Sequence, residues 1–395
     1  MPRVAFLTCV FPPYPGGIGI AAKGLAEAAR KNGYEIEVFI PRYTKVHDRE
    51  LLYISKNIRE QHKQERDAGI EVTKLFPFGH YGNAAMLPQL VWRLRSFDII
   101  HLFYPFFGAA ELLPLIKRTT RAKIIVHHIM DAVATGWLGK IFSFHRRYFL
   151  PRILRQADLV LDMSEDFFQG SDFGATRDKW ESVPLGFLPL GVDTSLFCPT
   201  EKKNHSAPTI IFVGGLDRAH YFKGISILLQ SLSILKERGL AFHCLIVGDG
   251  DMKKGYETIA GELGLMTGLV TFTGLVPNEK LPDYYRSADI FVMPSTARVE
   301  SFCLAAAEAQ ACGLPAIVSD FPGVRATIED TITGFVAKPN DAVDLAEKLR
   351  RLLTDEELRR GMGGAGRQRV VERYDWAVIG ELLDGLYRRL LTVRY

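Results

Sequence analysis

VAFLTCVFPPYPGGIGIAAKGLAEAARKNGYEIEVFI, residues 4–40, is the stretch on which the fold turns. Val4–Val10 is a continuous apolar run, and Pro12–Gly19 is a proline–glycine loop. Ile20–Lys31 then sets small and apolar residues at helical spacing with Gly33 as its stop, and Glu35–Ile40 is apolar again. Strand, glycine loop, helix and strand make a βαβ unit. Working outward, Ile99–Phe103, Lys123–His127 and Leu159–Met163 are further apolar runs between helical stretches, the mark of a parallel sheet covered on both faces. The second half repeats the logic. Thr209–Val213 ends in Gly214-Gly215, a helix is expected over Gly224–Arg238, and Phe242–Val247 ends in Gly248-Asp249-Gly250. Val270–Thr273, Ile290–Met293 and Ala316–Val318 complete a second set. Between the halves lies VPLGFLPLGVDTSLFCPTEKKNHSAP, rich in proline and turn residues, which puts a domain join near residue 195. The expected architecture is α/β: two Rossmann-like parallel-sheet domains, residues 1–195 and 196–375, facing a central cleft. Ligands of such sheets bind beyond the carboxyl ends of the strands.

Composition agrees with a folded globular protein. The 395 residues are 47% apolar and 24% charged, which excludes disorder and coiled coil as whole-chain readings. The net charge of +4 is too small to announce a nucleic-acid binder, and no nucleic-acid partner is expected. Its distribution says more: residues 1–200 carry 25 basic and 20 acidic side chains, residues 201–395 carry 24 and 25. Cys9, Cys198, Cys244, Cys303 and Cys312 are odd in number and widely spaced, so reduced cytoplasmic thiols are expected rather than a disulfide framework or zinc knuckle. The N-terminus does not read as a signal peptide. Ile99–Ile116 is interrupted by Pro105, Pro114, His101 and Glu111, which argues against a spanning helix.

Three features carry chemistry. Gly16 and Gly17 lie in the loop Pro15-Gly16-Gly17-Ile18-Gly19, where backbone N–H groups at a helix start can approach an anion; a plain tight turn is the alternative. The loop lacks the spaced G-x-G-x-x-G of dinucleotide sites, and no acidic residue ends the second strand, so a nicotinamide enzyme is disfavoured. Glu300 and Glu308 frame Glu300-Ser301-Phe302-Cys303-Leu304-Ala305-Ala306-Ala307-Glu308. Ser301 reads as the N-cap of a small-residue helix Leu304–Cys312, which separates the two carboxylates by about 12 Å along its axis. Such a pair cannot share one proton or metal, but can hold two ends of an extended ligand. Glu308 sits in AAAEAQA, where close packing demands a partner for its carboxylate. Asp249-Gly250-Asp251 is the sole D-x-D and reads as a strand-end turn, so no metal is expected.

The segment from Glu300 to Glu308 resembles the E-x7-E signature of retaining, nucleotide-sugar-dependent glycosyltransferases of family 4, with the two-domain GT-B fold. PPYPGG, LPLGVDTSLF, FVGGLD…FKG, LIVGDGD, VTFTGLVP, the Tyr-Tyr-Arg-Ser-Ala-Asp-Ile run and TGFVAKPND follow in the family's order over nearly the whole chain. The resemblance implies that Glu308 binds the donor ribose hydroxyls, that Glu300 contacts the transferred sugar, and that Lys223 neutralises the diphosphate. The family's partner arginine falls at Gly215 here, and Arg218 is the substitute. Ser301, Phe302, Cys303 and Leu304 line the donor, with Cys303 where the family prefers a glycine whose N–H meets phosphate. A histidine after the strand Lys123–Val126 contacts the donor sugar in this family; His128 is favoured over His127, one ring facing the cleft and the other the sheet. The final segment, residues 376–391, resembles the family's helix that crosses back onto the first domain. The implied chemistry is a metal-independent, retaining hexosyl transfer from a nucleoside-diphosphate sugar to an acceptor hydroxyl, with no resident cofactor and no side-chain nucleophile. A GT-B epimerase, a phosphorylase and a non-catalytic nucleotide-sugar sensor are the rivals.

The excess charge of the first half has two basic stretches. Trp137–Arg155, WLGKIFSFHRRYFLPRILR, carries Lys140, Arg146, Arg147, Arg152 and Arg155 among aromatics and no acidic residue. It reads equally as a helix for an anionic membrane surface or as a core helix with solvated arginines that Pro151 interrupts. Arg42–Arg66 reads as solvated surface. The expected acceptor is a glycan or lipid-linked hydroxyl, and the expected location is the cytoplasm, peripheral to the inner face of the plasma membrane where the basic stretch meets lipid.

Overall fold

The computed structural model describes residues 1–12, 17–42, 69–134, 136–200 and 207–392. Gly16 and all but the first residue of Arg42–Arg66 lie outside the described residues. The chain forms two compact units, Met1–Gly191 with Trp376–Tyr395, and Val192–Asp375.

The first unit holds strands β1 (Arg3–Leu7), β2 (Glu35–Pro41), β3 (Glu71–Leu75), β6 (Ile99–Tyr104), β7 (Lys123–His128), β8 (Leu159–Asp162) and β9 (Leu185–Phe187). They form one parallel sheet in the order β3-β2-β1-β6-β7-β8-β9. An antiparallel hairpin, β4 (Gly79–Tyr81) with β5 (Ala84–Met86), stands apart from that sheet. In the second unit, β10 (Thr209–Val213), β11 (His243–Val247), β12 (Val270–Gly274), β13 (Ile290–Met293), β14 (Ala316–Ser319) and β15 (Gly334–Ala337) run parallel in the order β12-β11-β10-β13-β14-β15. In both sheets the strand order reverses beside the first strand, at β1/β6 and at β10/β13. These are the switch points where crossovers leave in opposite directions and open a crevice at the strand ends.

Helix α1 (Gly17–Lys31) buries Ala21, Ala22, Leu25, Ala26, Ala28 and Ala29. Its small face packs against the last helix, α6 (Trp376–Thr392), which follows α5 (Glu356–Arg373), and Asn32 and Tyr34 just beyond α1 bond the Gly380 carbonyl and Asp384 of α6. The opposite face of the first sheet carries Ile100, Leu102, Tyr104, Ile124, Val126 and Val160 in a continuous apolar core. The chain's two crossings between units are adjacent in the second unit. Val192 N donates to Tyr374 O at 2.6 Å, Val192 and Asp375 form a parallel bridge, and Thr194 Oγ1 donates to the Asp375 carboxylate.

Helix α2 (Gly136–Tyr148) contributes no buried residue. The core-helix reading of Trp137–Arg155 therefore fails for its first two thirds; burial begins at Leu150, Pro151, Ile153 and Leu154 in a separate short helix with Pro151 in its first turn.

Candidate functional site

In the second unit the site residues gather at the switch point. β10 runs into Gly214-Gly215, and a short 3-10 segment, Arg218–Lys223, leads to α3 (Ile225–Glu237) through Gly224. Gly224 has φ +76°, and a Cβ there would stand 1.8 Å from the Pro294 carbonyl oxygen just past β13. Only glycine lets the loop lie that close to the neighbouring strand end. Thr296 N donates to Phe222 O at 2.7 Å and closes the contact from the other side. Lys223 is thus delivered to Glu300, its Nζ 2.7 Å from Oε1, with both side chains only 13% accessible. Burial opposes the lysine's charge, but the Glu300 carboxylate outweighs it and holds the Lys223 pKa above its ordinary value. The other oxygen, Glu300 Oε2, is buried with no hydrogen-bond partner.

From Glu300 the chain passes through Ser301, Phe302 and Cys303, all buried, into α4 (Leu304–Ala311). The N-cap position is Cys303, whose side chain makes no cap bond, rather than Ser301. The cap carbonyl accepts instead, from Ala306 N and Ala307 N. Burial pushes the Cys303 thiol well up, so it stays protonated. Leu304 at the helix start is partly exposed. Glu308, one turn on, accepts a hydrogen bond of 2.9 Å from the hydroxyl of Tyr285. Burial lifts its carboxyl to about 7, against the lowering effect of that bond. Tyr285 is fully buried and is the partner that the small-residue setting of Glu308 required.

In the first unit Gly17 is the first residue of α1, and His127 and His128 end β7. The two imidazoles point to opposite faces of the sheet, and both are fully buried where the sequence reading has one in a cleft. His127 Nε2 lies 3.2 Å from the Leu188 carbonyl, which can only accept, so Nε2 carries the proton. The neutral ring must then accept at Nδ1 from His101 Nε2 at 3.1 Å, and His101 Nδ1 accepts from the Tyr387 hydroxyl of α6 at 2.7 Å. Burial enforces this neutral chain, pushing His127 down to about 3 and His101 well below its usual value.

His128 is the reverse case. Its Nδ1 is 2.8 Å from Asp162 and its Nε2 3.1 Å from Asp131, with the ring stacked 3.9 Å over Phe173. Burial pulls its pKa down, but the two carboxylates outweigh that and raise it to about 9. Asp131 also accepts from Asp172 N, and Asp172 pairs with Arg146 of α2 at 2.8 Å.

Residues 15–186 match the family described as Glycosyltransferase Family 4, and residues 198–369 match Glycosyl transferases group 1. The chain belongs to glycosyltransferase family 4. This glycosyltransferase is 26% identical to an uncharacterized glycosyltransferase of Methanocaldococcus jannaschii, over 98% of each chain. It is 28% identical to the GDP-mannose-dependent alpha-(1-6)-phosphatidylinositol monomannoside mannosyltransferase of Mycolicibacterium smegmatis, over 95% of this chain and 96% of that one. Among solved structures it resembles sucrose-phosphate synthase from Thermosynechococcus elongatus, with TM-score 0.73 and 22% identity over 99% of both chains, and its fold is GT-B.

Two details of the family 4 glycosyltransferase depart from the motif pattern. A Cβ at Gly215, the family's arginine position, would stand 2.7 Å from His220 Nδ1 and 3.0 Å from Asp217 Oδ2. The His220–Asp217 pair, 2.7 Å apart, fills that space. Arg218, the expected substitute, is 87% exposed and pairs with Asp251 at 3.4 Å, away from the buried Lys223–Glu300 pair at the other end of the segment. The D-x-D is spent on its own turn: Asp249 accepts from Gly250 N and Asp251 from Arg218 N. Among the described residues, no group of three His, Cys, Asp or Glu side chains is placed to hold a metal ion.

Sequence reasoning missed Tyr285, Asp131, Asp162, His101 and Tyr387. Tyr285 lay in a quoted motif, and the buried-carboxylate argument for Glu308 was a signal that a hydroxyl or cation must face it. Asp131 lies three residues past His128, His101 and Asp162 come in on neighbouring strands and Tyr387 on the last helix, and local patterns reveal none of the last three.

Proposed function

We propose that this glycosyltransferase moves a sugar, with retention of configuration and without a metal, from a nucleoside diphosphate to a lipid-borne hydroxyl. The observation that carries the donor half is the Lys223–Glu300 pair with its unfilled oxygen. A buried carboxylate oxygen without a donor is unfavourable, and a sugar hydroxyl is a donor of the right kind. Lys223 supplies a fixed positive charge for the diphosphate as negative charge grows on the leaving oxygen. The Cys303 backbone N–H before α4 supplies a further donor. Glu308, already bonded to Tyr285, accepts from the ribose hydroxyls. Ser301 and Phe302 shape the wall between the two carboxylates. Arg218 takes an outer, solvent-facing role toward the diphosphate. His127 and His128 act as positioning residues that fix the end of β7, the first as a neutral donor to Leu188, the second as a cation between Asp162 and Asp131. The leaving phosphate takes the acceptor's proton, so no protein nucleophile is required.

The mycobacterial relative is named as using GDP-mannose and a phosphatidylinositol mannoside. GDP-mannose and an anionic glycolipid acceptor are therefore the first substrates to test here, with the second unit as the donor domain and the first as the acceptor domain. The basic face of α2 suits an anionic membrane surface, and among the described residues no helix is long and apolar enough to cross a membrane. The test is transfer from a panel of nucleotide sugars to lipid extracts in the presence of EDTA, with the product's anomeric configuration read by NMR. Retained configuration and chelator-resistant turnover support the reading; inversion, or loss of turnover rescued only by a divalent ion, refutes it. Sugar phosphate released from a glycan by orthophosphate alone would indicate the phosphorylase instead.

A further inference from the structure

Helix α2 is amphipathic in a way its own unit does not use. Leu138, Phe142 and His145 face the body: Phe142 stacks on Phe107 with ring centroids 5.3 Å apart, and His145 meets the same ring edge-on at 4.9 Å. Glu111 locks this arrangement, one oxygen 2.6 Å from His145 Nε2 and the other accepting from Gly108 N at 2.5 Å. Trp137, Ile141, Phe144 and Tyr148 recur every three or four residues, forming one stripe along the helix, and Trp137 is 67% exposed and Phe144 57%. Lys140 and Arg147 flank that stripe.

Opposite α2 stands the β4–β5 hairpin, fixed to the same loop by the bond from Ala85 N to Phe107 O at 2.9 Å. It too turns apolar side chains outward, with Phe78 86% exposed and Tyr81 70%. Between helix and hairpin runs a groove of about 540 Å³, walled by Tyr81, Phe107, Trp137, Leu138, Ile141 and Phe142. Its volume is that of a small-molecule site. An exposed apolar surface of this kind marks a place of interaction.

We propose that this groove seats one acyl chain of an anionic membrane lipid, with α2 and the hairpin lying in the lipid–water interface. Charge complementarity selects that occupant. From Trp137 to Arg155 there are five exposed Lys or Arg and no acidic residue; Lys140 and Arg147 flank the apolar stripe, while Arg146 pairs with Asp172 and Arg152 and Arg155 lie beyond α2. An apolar slot beside a helix face that carries Lys140 and Arg147 fits a hydrocarbon chain under a phosphate headgroup. The groove's one polar pair, Glu111–His145, is already mutually satisfied and leaves the wall apolar. The site deepens the lipid-acceptor reading of the preceding subsection and rests on it, but chain binding requires neither donor nor turnover, so the two fail separately.

The test uses the full-length protein and the fluorescence of Trp137. Vesicles of phosphatidylglycerol with brominated acyl chains are expected to quench tryptophan emission, with most of the quenching lost in Trp137→Phe. Ile141→Glu, at an exposed position whose change leaves the core intact, is expected to weaken vesicle binding at least tenfold without altering nucleoside-diphosphate affinity. Monoacyl phosphatidylglycerols of rising length, kept monomeric, are expected to bind about fourfold tighter per added methylene until the groove is full. Vesicle binding without quenching, or affinity independent of chain length, would mean attachment by charge alone and overturn the proposal. A dimer in sedimentation that Ile141→Glu dissociates would identify the occupant as a second copy of this chain and overturn it equally.

Discussion

Lys223 with Glu300, and His128 with Asp162 and Asp131, both bury charge near the carboxyl ends of parallel strands, and they differ in what is left over. Both ring nitrogens of His128 face a carboxylate, Nδ1 in a hydrogen bond to Asp162 and Nε2 in an ion pair with Asp131. Glu300 spends one oxygen on Lys223 and keeps the other buried without a partner. A cation held between two carboxylates holds a fold together, while a carboxylate oxygen with no hydrogen-bond partner holds a place for something else. Substitutions in the first unit's cluster should therefore move stability, and those in the second unit's pair should move ligand binding and turnover.

The largest expected effect is at the incomplete pair. Glu300→Gln should lower kcat for sugar transfer by about 100-fold or more while shifting Tm by only a few degrees. Transfer retained within about tenfold would erase the contrast. His128→Ala should do the opposite: two buried carboxylates lose their cation, and urea unfolding should show a loss of about 3–5 kcal/mol. Nucleoside-diphosphate affinity of the folded variant should hold, and a matching fall in affinity would place His128 in the donor site. Glu308→Ala should weaken nucleoside-diphosphate binding by about tenfold in calorimetry, since hydrogen bonds to a charged group are lost. Unchanged affinity would remove its ribose role.

A pH series separates the two faces of β7. The His128 pKa rises from 6.5 to about 9 on folding, so its contribution is complete below pH 6.5 and is lost as pH climbs through 9. The His127 pKa falls to about 3, so below pH 6.5 the unfolded chain takes up a proton that the fold refuses, and stability declines toward acid. Tm measured from pH 5 to 9 should fall at both ends; His128→Asn should flatten the alkaline limb and His127→Asn the acid limb. A swap of those limbs would reverse the assignment. The smallest effect belongs to Arg218→Ala, which removes an exposed side chain paired with Asp251 and should change transfer by less than about threefold.

The same contrast explains what the sequence made legible. β10 and β13 read directly, at Thr209–Val213 and Ile290–Met293, because strands buried on both faces are unbroken apolar runs. β3, β9 and β15 escaped notice, and all three are edge strands: Glu71–Leu75 mixes charged and polar residues with two apolar ones, while Leu185–Phe187 and Gly334–Ala337 are three and four residues long. The hairpin at Gly79–Met86 was hidden for a related reason, since its apolar residues face outward and no burial pattern marks them. At the site, Lys223, Glu300 and Glu308 were legible because motif and local chemistry agreed. The burial of both histidines was not, because it depends on Phe173 and Tyr387, which arrive from other parts of the chain.

The paired crossings at Val192 and Asp375 make the second unit an insertion within the first, with its two ends side by side. That fixes an order of events on the ribosome. The first unit emerges first but lacks α6, and with it Tyr387 for His101 and Asp384 for Tyr34, until residues 376–392 are made. The second unit needs nothing beyond Asp375 and can complete its core while the older unit still waits for its closing helix. A chain stopped at Asp375 should then hold a folded second unit beside a loosened first one, and the adjacent ends mark the natural place to excise or circularly permute it.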